Sequence, residues 1–466
     1  MSNYRLNSQA VQENAHSLAA ALGIDTEHAE QLLKAGALVT ADESEPLCVR
    51  LGGHVSELLV RTLQSAGADV DPKDATVEVV IGQVAPRSAA PRIWVSADGD
   101  AACIGRQRPN SPGVRPVHPA VLIVVACYTA AAVLRLAIGD RLPLPSRDPL
   151  VLDLQALGVT ADLISRRIDL GRAYLAGAGA VGNGYLWALR WFDVHGQLDI
   201  VDFDVVKAGN LNRQLWFLET DVNLPKAKRL AARAQPSFPH LRLVPRVGRL
   251  QDLPEKRTDP RWLRRLVVGV DSRRARRSLQ SEIPGEVFDA STTDIREIIL
   301  HFNKQPSSRA CLGCIYLPDE SEAGRMRDIA GALGVTIEDV QNGVINPTAA
   351  KTILARYPDR GLTAATLEGE AYESLFKALC AKAALRTEGD RQVFAPFAFV
   401  SVLAGVLLAI ETVRRVAGEA PPFNYWRISP WLPFTPKLQR QIPPSPACPV
   451  CGEPLFRKIA QQLWES

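Results

Sequence analysis

Arg172-Ala173-Tyr174-Leu175-Ala176-Gly177-Ala178-Gly179-Ala180-Val181-Gly182 is the stretch on which the reading of this chain turns. An apolar strand over 172–176 runs into Gly177, Gly179 and Gly182, spaced G-x-G-x-x-G, and then into a helix. Glycines at such positions allow a tight turn and let backbone approach a phosphate chain at the positive N-terminus of a helix. The next apolar strand, 198–201, runs into Asp202, where a carboxylate can hold ribose hydroxyls. These features alone admit NAD and ATP equally, and also a glycine-rich packing turn with no ligand. Further strands are expected at 241–244 and 266–270. Their alternation with helices predicts an α/β, Rossmann-like fold with a mainly parallel sheet covered by helices.

The following stretch, Asp202-Phe203-Asp204-Val205-Val206-Lys207-Ala208-Gly209-Asn210-Leu211-Asn212-Arg213-Gln214, separates the two nucleotides. Dehydrogenases do not need it. It resembles the D-x-D…N-L-x-R-Q signature of the ubiquitin-activating-enzyme superfamily, which includes the adenylyltransferases of thiamine and molybdopterin synthesis. The resemblance continues at Lys226, in Leu224-Pro225-Lys226-Ala227-Lys228, where the family places a phosphate-binding lysine. It continues at Asp271, in Val267-Val268-Gly269-Val270-Asp271-Ser272, where the family ends a strand with a metal-binding aspartate, and Ala275-Arg276 completes D-x-x-x-A-R.

The resemblance implies ATP held by Gly177, Gly179, Gly182, Asp202, Asp204, Asn210, Arg213, Lys226 and Asp271. Asp202 would hold the ribose, and Asn210 would support the phosphates or the metal. Arg213 and Lys226 would neutralise pyrophosphate as it leaves, and Asp271 would hold Mg²⁺, a hard ion that takes carboxylate and phosphate oxygens. Simpler roles exist for the same residues: a solvated surface pair for Arg213 and Lys226, and a helix N-cap ahead of Ser272 for Asp271. The run Arg273-Arg274-Ala275-Arg276-Arg277 has the composition of a nucleic-acid patch and is read as an exposed helix face.

Eight cysteines are too few for a disulfide scaffold in a chain of this length. Cys311-Leu312-Gly313-Cys314 and Cys448-Pro449-Val450-Cys451 are two C-x-x-C knuckles, and two such pairs can close a tetrahedral thiolate site of the structural-zinc kind. Their separation is far longer than in compact zinc ribbons, so spacing alone leaves redox pairs or free thiols open. The resemblance favours zinc on Cys311, Cys314, Cys448 and Cys451. Family members that proceed beyond the adenylate use a nucleophilic thiol, and Cys380 is the only cysteine between the knuckles. Lys377 and Lys382 would favour its thiolate; the alternative is a small buried hydrophobe. Cys48 and Cys127 read as core, and Cys103 has no partner motif.

The chain has 466 residues, about three domains or two large ones at roughly 150 residues each. Hydrophobic residues at 47% and charged residues at 22% exclude disordered and collagen-like classes. Against 50 acidic residues, 54 basic ones leave a net charge of +4, too balanced for a binder of nucleic acid or membrane surface. The first residues lack an apolar signal core. The apolar runs 119–134 and 394–410 fall short of the ~20 residues a membrane span needs, and are expected to be buried core helices of a cytoplasmic protein.

Residues 1–165 are read as one domain. It opens with an amphipathic helix over 10–22. Cys48-Val49-Arg50-Leu51-Gly52-Gly53-His54 is expected to be a strand and glycine turn leading into a helix, followed by strands at 76–81 and 92–95. A proline-rich link over 142–150 leads to the second domain, 166–466, which contains a cysteine-bearing insertion at about 318–392. Both halves share an order of strand, glycines, helix and a final Ala-rich apolar helix, a weak internal repeat. The resemblance implies that the first half is an inactive adenylation half, paired pseudo-symmetrically with an active one. Gly52-Gly53 would be its remnant glycine turn, and Arg5 an arginine it contributes to the active site.

Size and order are similar to the activating component of bacterial ubiquitin-like conjugation operons. That implies ATP, Mg and Zn, a ubiquitin-like protein with a C-terminal glycine, a conjugating enzyme, and a monomeric pseudo-dimer or a homodimer. The conjugating enzyme would dock elsewhere than beyond Cys451, where no ubiquitin-fold domain follows. A sulfur-carrier adenylyltransferase and a non-catalytic carrier-binding scaffold are the alternatives; the long cysteine-bearing segment disfavours the former.

Overall fold

The computed structural model describes residues 6–110, 117–293, 295–318, 320–381 and 396–465; Arg5 lies outside them. Six strands of the first half, β1 (Gly36–Ala41), β2 (Ser65–Gly67), β3 (Val77–Ile81), β4 (Arg92–Ala97), β5 (Ala101–Gly105) and β6 (Leu150–Asp153), form a sheet in the order β2-β1-β3-β4-β5-β6. It is parallel from β2 to β4, and β5 and β6 join antiparallel. Eight more strands follow: β7 (Ile168–Ala176), β8 (Val194–Asp202), β9 (Leu241–Val247), β10 (Arg265–Val268), β11 (Glu286–Thr293), β12 (Glu297–Lys304), β13 (Tyr425–Ile428) and β14 (Gln439–Arg440). They form a second sheet in the order β14-β13-β12-β11-β10-β7-β8-β9.

The five strands from β9 to β11 are parallel, and β12 to β14 are antiparallel. β3 and β10 are buried along their whole length. Burial of this kind suits parallel strands covered on both faces. β7 comes first in the chain yet sits mid-sheet, with β8 and β9 on one side and β10 and β11 on the other. Strand order reverses between β7 and β10, which in open α/β sheets is where the ligand crevice lies, at the carboxyl ends of the strands.

The repeat expected from order alone is present as topology. Each half runs strand, helix, neighbouring strand, a strand on the far side, a parallel neighbour, an antiparallel partner, a long apolar helix and a last antiparallel strand. In the first half these are β1, helix Pro46–Leu59, β2, β3, β4, β5, helix Pro119–Ala137 and β6. In the second they are β7, helix Ala180–Leu189, β8, β10, β11, β12, helix Ala398–Val416 and β13, with β9 and β14 as additions.

Both long helices are core, as expected. Pro119–Ala137 has the length and composition of a membrane span, but it is buried among the other elements. It packs against Pro46–Leu59 and Ala398–Val416, and the latter packs against Ala180–Leu189. One continuous apolar core therefore joins the halves. The last of these contacts is backbone on backbone. A Cβ at Gly405 would lie 2.4 Å from the Tyr185 nitrogen, and one at Gly184 would lie 2.9 Å from the Val402 Cα.

One expectation fails. Cys48–His54 is not a strand and glycine turn but the middle of helix Pro46–Leu59. Pro46 occupies the first turn, where its missing N–H costs nothing, and Cys48, Leu51, Val55, Leu58 and Leu59 recur on one buried face with helical period. Gly52 is there for packing: a Cβ would come within 3.1 Å of the Ala41 Cβ. The strand is β1, and the turn after it is Asp42-Glu43-Ser44-Glu45, with no glycine.

Residues 317–394 form a separate compact unit. Its helices Glu320–Leu333, Ile337–Asn342, Pro347–Arg356, Ala364–Leu367 and Tyr372–Ala381 enclose their own apolar core, built on residues such as Leu333, Ile353 and Leu367.

The helix crossing yields a paired prediction. Gly405→Ala should lower unfolding stability by about 1–3 kcal/mol in urea titration, the usual range for overpacking. Gly53→Ala should raise it by about 0.5–1 kcal/mol, because nothing stands within 4 Å of its Cβ and alanine is the better helix former. A Gly405→Ala protein as stable as the parent contradicts the close crossing.

Candidate nucleotide and metal sites

The three glycines after β7 do different jobs. Gly177 has φ +100°, and its Cβ would lie 2.9 Å from the carbonyl of Gly269, which follows β10. A Cβ on Gly182 would lie 2.3 Å from the Gly177 carbonyl oxygen. Gly179 caps helix Ala180–Leu189 with open space around its Cβ position and no side-chain cap. The outer two glycines pack the loop tightly, and the middle one leaves room at the helix N-terminus, where first-turn amides have no intrahelical partner. Asn183, fully buried, pins the loop: its Nδ2 donates to the carbonyls of Ala178 (3.0 Å) and Gly179 (2.9 Å), and its Oδ1 accepts from the Trp216 amide (3.0 Å). Sequence reasoning missed Asn183, and the signal was a polar residue inside an otherwise apolar first turn.

At the end of β8, Asp202 accepts from the amides of Ala178 (2.7 Å) and Asp204 (2.8 Å), which ties the second strand to the glycine loop. Burial raises its pKa, against the pull of the Lys226 ammonium. Lys226 opens helix Lys226–Ala234, and its Nζ lies 2.9 Å from the Asp204 carboxylate. Burial alone would push this amine down, but Asp204, Asp202 and Asp271 together hold its pKa above the ordinary value. Arg213 follows the 3₁₀ turn Ala208–Asn212 and is half-buried, with Nη1 2.7 Å from the Asn212 Oδ1 and 3.7 Å from the Glu13 carboxylate. Burial lowers its pKa, and Glu13 and Asp271 oppose that. Asn210 accepts the Lys207 amide at 3.2 Å within the same turn. Glu13, from the N-terminal helix Ser8–Leu22, was not singled out in the sequence.

Asp271 stands in the loop after β10, exposed, and its charge acts on Arg213 and Lys226. The cap of helix Arg273–Gln280 is Ser272, whose hydroxyl accepts the Ala275 amide. Asp271 therefore does not serve as the N-cap. The structure thus gathers Gly177, Gly179, Gly182, Asp202, Asp204, Arg213, Lys226 and Asp271 around the carboxyl ends of β7, β8 and β10. The space combines a helix N-terminus and two cations with a larger number of carboxylates, a donor set suited to a polyanion bearing a ribose and a hard cation.

The arginine run departs from a uniformly exposed face. Arg276 is 2% exposed, pairs with Asp289 at 2.9 Å, donates to the Ala290 carbonyl at 3.0 Å and lies over the Tyr316 ring. It faces inward because it sits on the side of its helix that meets β11.

The two knuckles come together. The Sγ atoms of Cys311, Cys314, Cys448 and Cys451 all lie within 4.8 Å of one another, with separations of 3.8 Å (Cys311–Cys314), 3.6 Å (Cys311–Cys448) and 3.1 Å (Cys314–Cys451). Amides of Ser445 and Val450 donate to the sulfurs of Cys314 and Cys448. Gly313 fits because a Cβ there would lie 3.0 Å from the Cys448 sulfur. Four converging sulfurs are a donor set that would fit a structural zinc ion, and such a set would leave no position for a reacting water.

Cys48 and Cys127 are buried in the core, as expected, and Cys103 is half-buried on β5. Cys380 falls near the end of helix Tyr372–Ala381 in the helical unit. Its side chain and that of Lys377, and all of Lys382, lie outside the described residues.

Comparison with known proteins agrees with this geometry. A family model described as the E1 N-terminal domain matches residues 7–160, and the ThiF family model matches residues 152–450. An uncharacterized protein of Sinorhizobium fredii is 28% identical over 74% of this chain and 69% of its own length. The NEDD8-activating enzyme E1 catalytic subunit of Saccharomyces cerevisiae is 38% identical over 17% of this chain and 26% of its own. A ubiquitin-activating enzyme E1-like protein of the same yeast is 33% identical over 19% of this chain and 14% of its own. The chain thus spans only a small part of the two yeast relatives. A crystal structure of E. coli MccB with ATP is similar at 14% identity over 64% of this chain and 72% of that one, with a TM-score of 0.39. With the ThiF model covering most of its length from β6 to the second knuckle, the chain belongs to the ThiF family.

Proposed function

We propose that this chain adenylates the C-terminal glycine of a ubiquitin-like protein and then carries it as a thioester. The observation behind this reading is the gathering of Arg213, Lys226 and Asp271 opposite an open helix N-terminus lined by Gly179. A carboxylate oxygen of the carrier attacks the α-phosphorus of ATP, the bond to pyrophosphate breaks, and an acyl-adenylate forms. Arg213 and Lys226 take up the charge that develops on the departing pyrophosphate. Asp202, anchored by two amides, orients the ribose, and Asp271 is the residue that would hold Mg²⁺. The Cys380 thiolate then attacks the acyl carbon, AMP leaves, and a conjugating enzyme receives the acyl group. The resemblance to enzymes that work in this order and the cysteine-bearing helical unit support the thioester step. The acidic loop 42–45, where the second half has its glycines, would repel a triphosphate and supports an inactive first half.

The adenylation step is tested by ATP–pyrophosphate exchange with a candidate carrier. Arg213→Ala and Lys226→Ala should each lower exchange about 10²-fold or more, the usual cost of removing a charge-stabilising donor. Parent protein without exchange would sink the reading. Cys380→Ala should retain exchange and lose the thiol-sensitive carrier adduct; an adduct that survives it places the thioester elsewhere.

For the four-cysteine site the reading is structural zinc. Metal analysis should find one zinc per chain. Cys314→Ser should lose it and lower the melting temperature, because a knuckle that has lost one thiolate no longer closes the tetrahedron. Retention of the metal in that variant overturns the assignment.

A further inference from the structure

The loop 208–215 carries Arg213, and the amides of Arg213 and Gln214 close it on the Asn210 carbonyl, both at 3.1 Å. Side chains of the first half hold it from outside. Asn7 Nδ2 donates to the Ala208 carbonyl at 3.2 Å. Arg61, just beyond helix Pro46–Leu59, donates through Nη1 to the Leu211 carbonyl and through Nη2 to the Leu215 carbonyl at 3.3 Å. Its two acceptors thus lie two residues before and two residues after Arg213. Arg61 is 2% exposed and held by Glu57 at 2.9 Å.

A second connection runs through side chains. Asn14 Nδ2 donates to the Arg61 carbonyl at 2.7 Å, and Asn14 Oδ1 accepts from Asn212 Nδ2 at 2.7 Å. Asn212 Oδ1 in turn accepts from Arg213 Nη1 at 2.7 Å. Asn14 and Asn212 are each 1% exposed, so water does not compete for these bonds. Glu13, one residue away, places its carboxylate 3.7 Å from the same guanidinium.

We propose that Arg61 and Asn14 are positioning residues for the second half's phosphate site: they hold the loop in the one conformation that presents Arg213 to a nucleotide. A buried polar network with all members paired specifies a single geometry, and breaking one member leaves carbonyls stranded without water. The first half then has a function although the turn after β1 carries no glycine, because the site is incomplete without it. This inference rests on the adenylation reading for its chemistry, but not for its structural content.

The test uses the full chain with Arg61→Lys and Asn14→Ala, compared with Val55→Ala, a core truncation in helix Pro46–Leu59 that touches none of these bonds. Two readouts are taken: ATP–pyrophosphate exchange with a candidate carrier, and amide hydrogen exchange along the loop. In Arg61→Lys and Asn14→Ala, kcat should fall and loop amide exchange should rise, each about tenfold, as expected for one buried hydrogen bond lost. Val55→Ala should leave both near the parent value at equal or greater loss of thermal stability. Equal effects in all three variants, or none in the first two, overturn the proposal. If Arg61→Lys fails to fold, Asn14→Ala decides alone. If the parent shows no pyrophosphate exchange, the adenylation reading fails, and the amide-exchange comparison still decides whether Arg61 and Asn14 hold the loop.

Discussion

How closely two helices can approach sets the rest of the larger unit. Ala180–Leu189 and Ala398–Val416 touch through Gly184 and Gly405, where any side chain atom would overlap backbone. That approach seats the glycine loop at one end of Ala180–Leu189 and lets Ala398–Val416 reach the matching helix of the first half. Close-packed interiors transmit such constraints because they contain no slack. Both sheets and the crevice between β7 and β10 are placed by this contact.

Within the crevice, carboxylates outnumber cations before any ligand arrives. Two cations, Lys226 and Arg213, stand among Asp202, Asp204, Asp271 and Glu13. Burying either cation alone would be costly, and each carboxylate offsets part of that cost. A polyphosphate bound here would compete for the cations, and a divalent cation would satisfy the carboxylates so released. The site is thus suited to accept the two together.

Much of the second half was legible in its residues. The G-x-G-x-x-G spacing, the carboxylate at the end of the next strand and the paired knuckles are short-range patterns, and they lie where the crevice and the sulfur cluster form. What escaped was long-range or was hidden by composition. Gly52-Gly53 looked like a turn because glycine usually marks one, but here tertiary contact with Ala41 required a small residue inside a helix. Glu13, Asn14 and Arg61 reach the signature loop from far away in the chain, and no local period announces such contacts. Arg276 was hidden in a basic run, and only the fold shows that it alone turns inward to Asp289.

The sulfur cluster has a consequence for how such a chain diversifies. Cys311 and Cys448 are 137 residues apart, and their meeting closes a loop that contains the entire helical unit 317–394. That loop also holds helix Ala398–Val416 and β13, which belong to the core of the larger unit, so within it only 317–394 packs as a unit of its own, and lengthening a closed loop adds only slowly to its entropy cost. The segment is a cassette. A change of length within it leaves the core that joins the halves unaltered, because the two apolar cores share no residue.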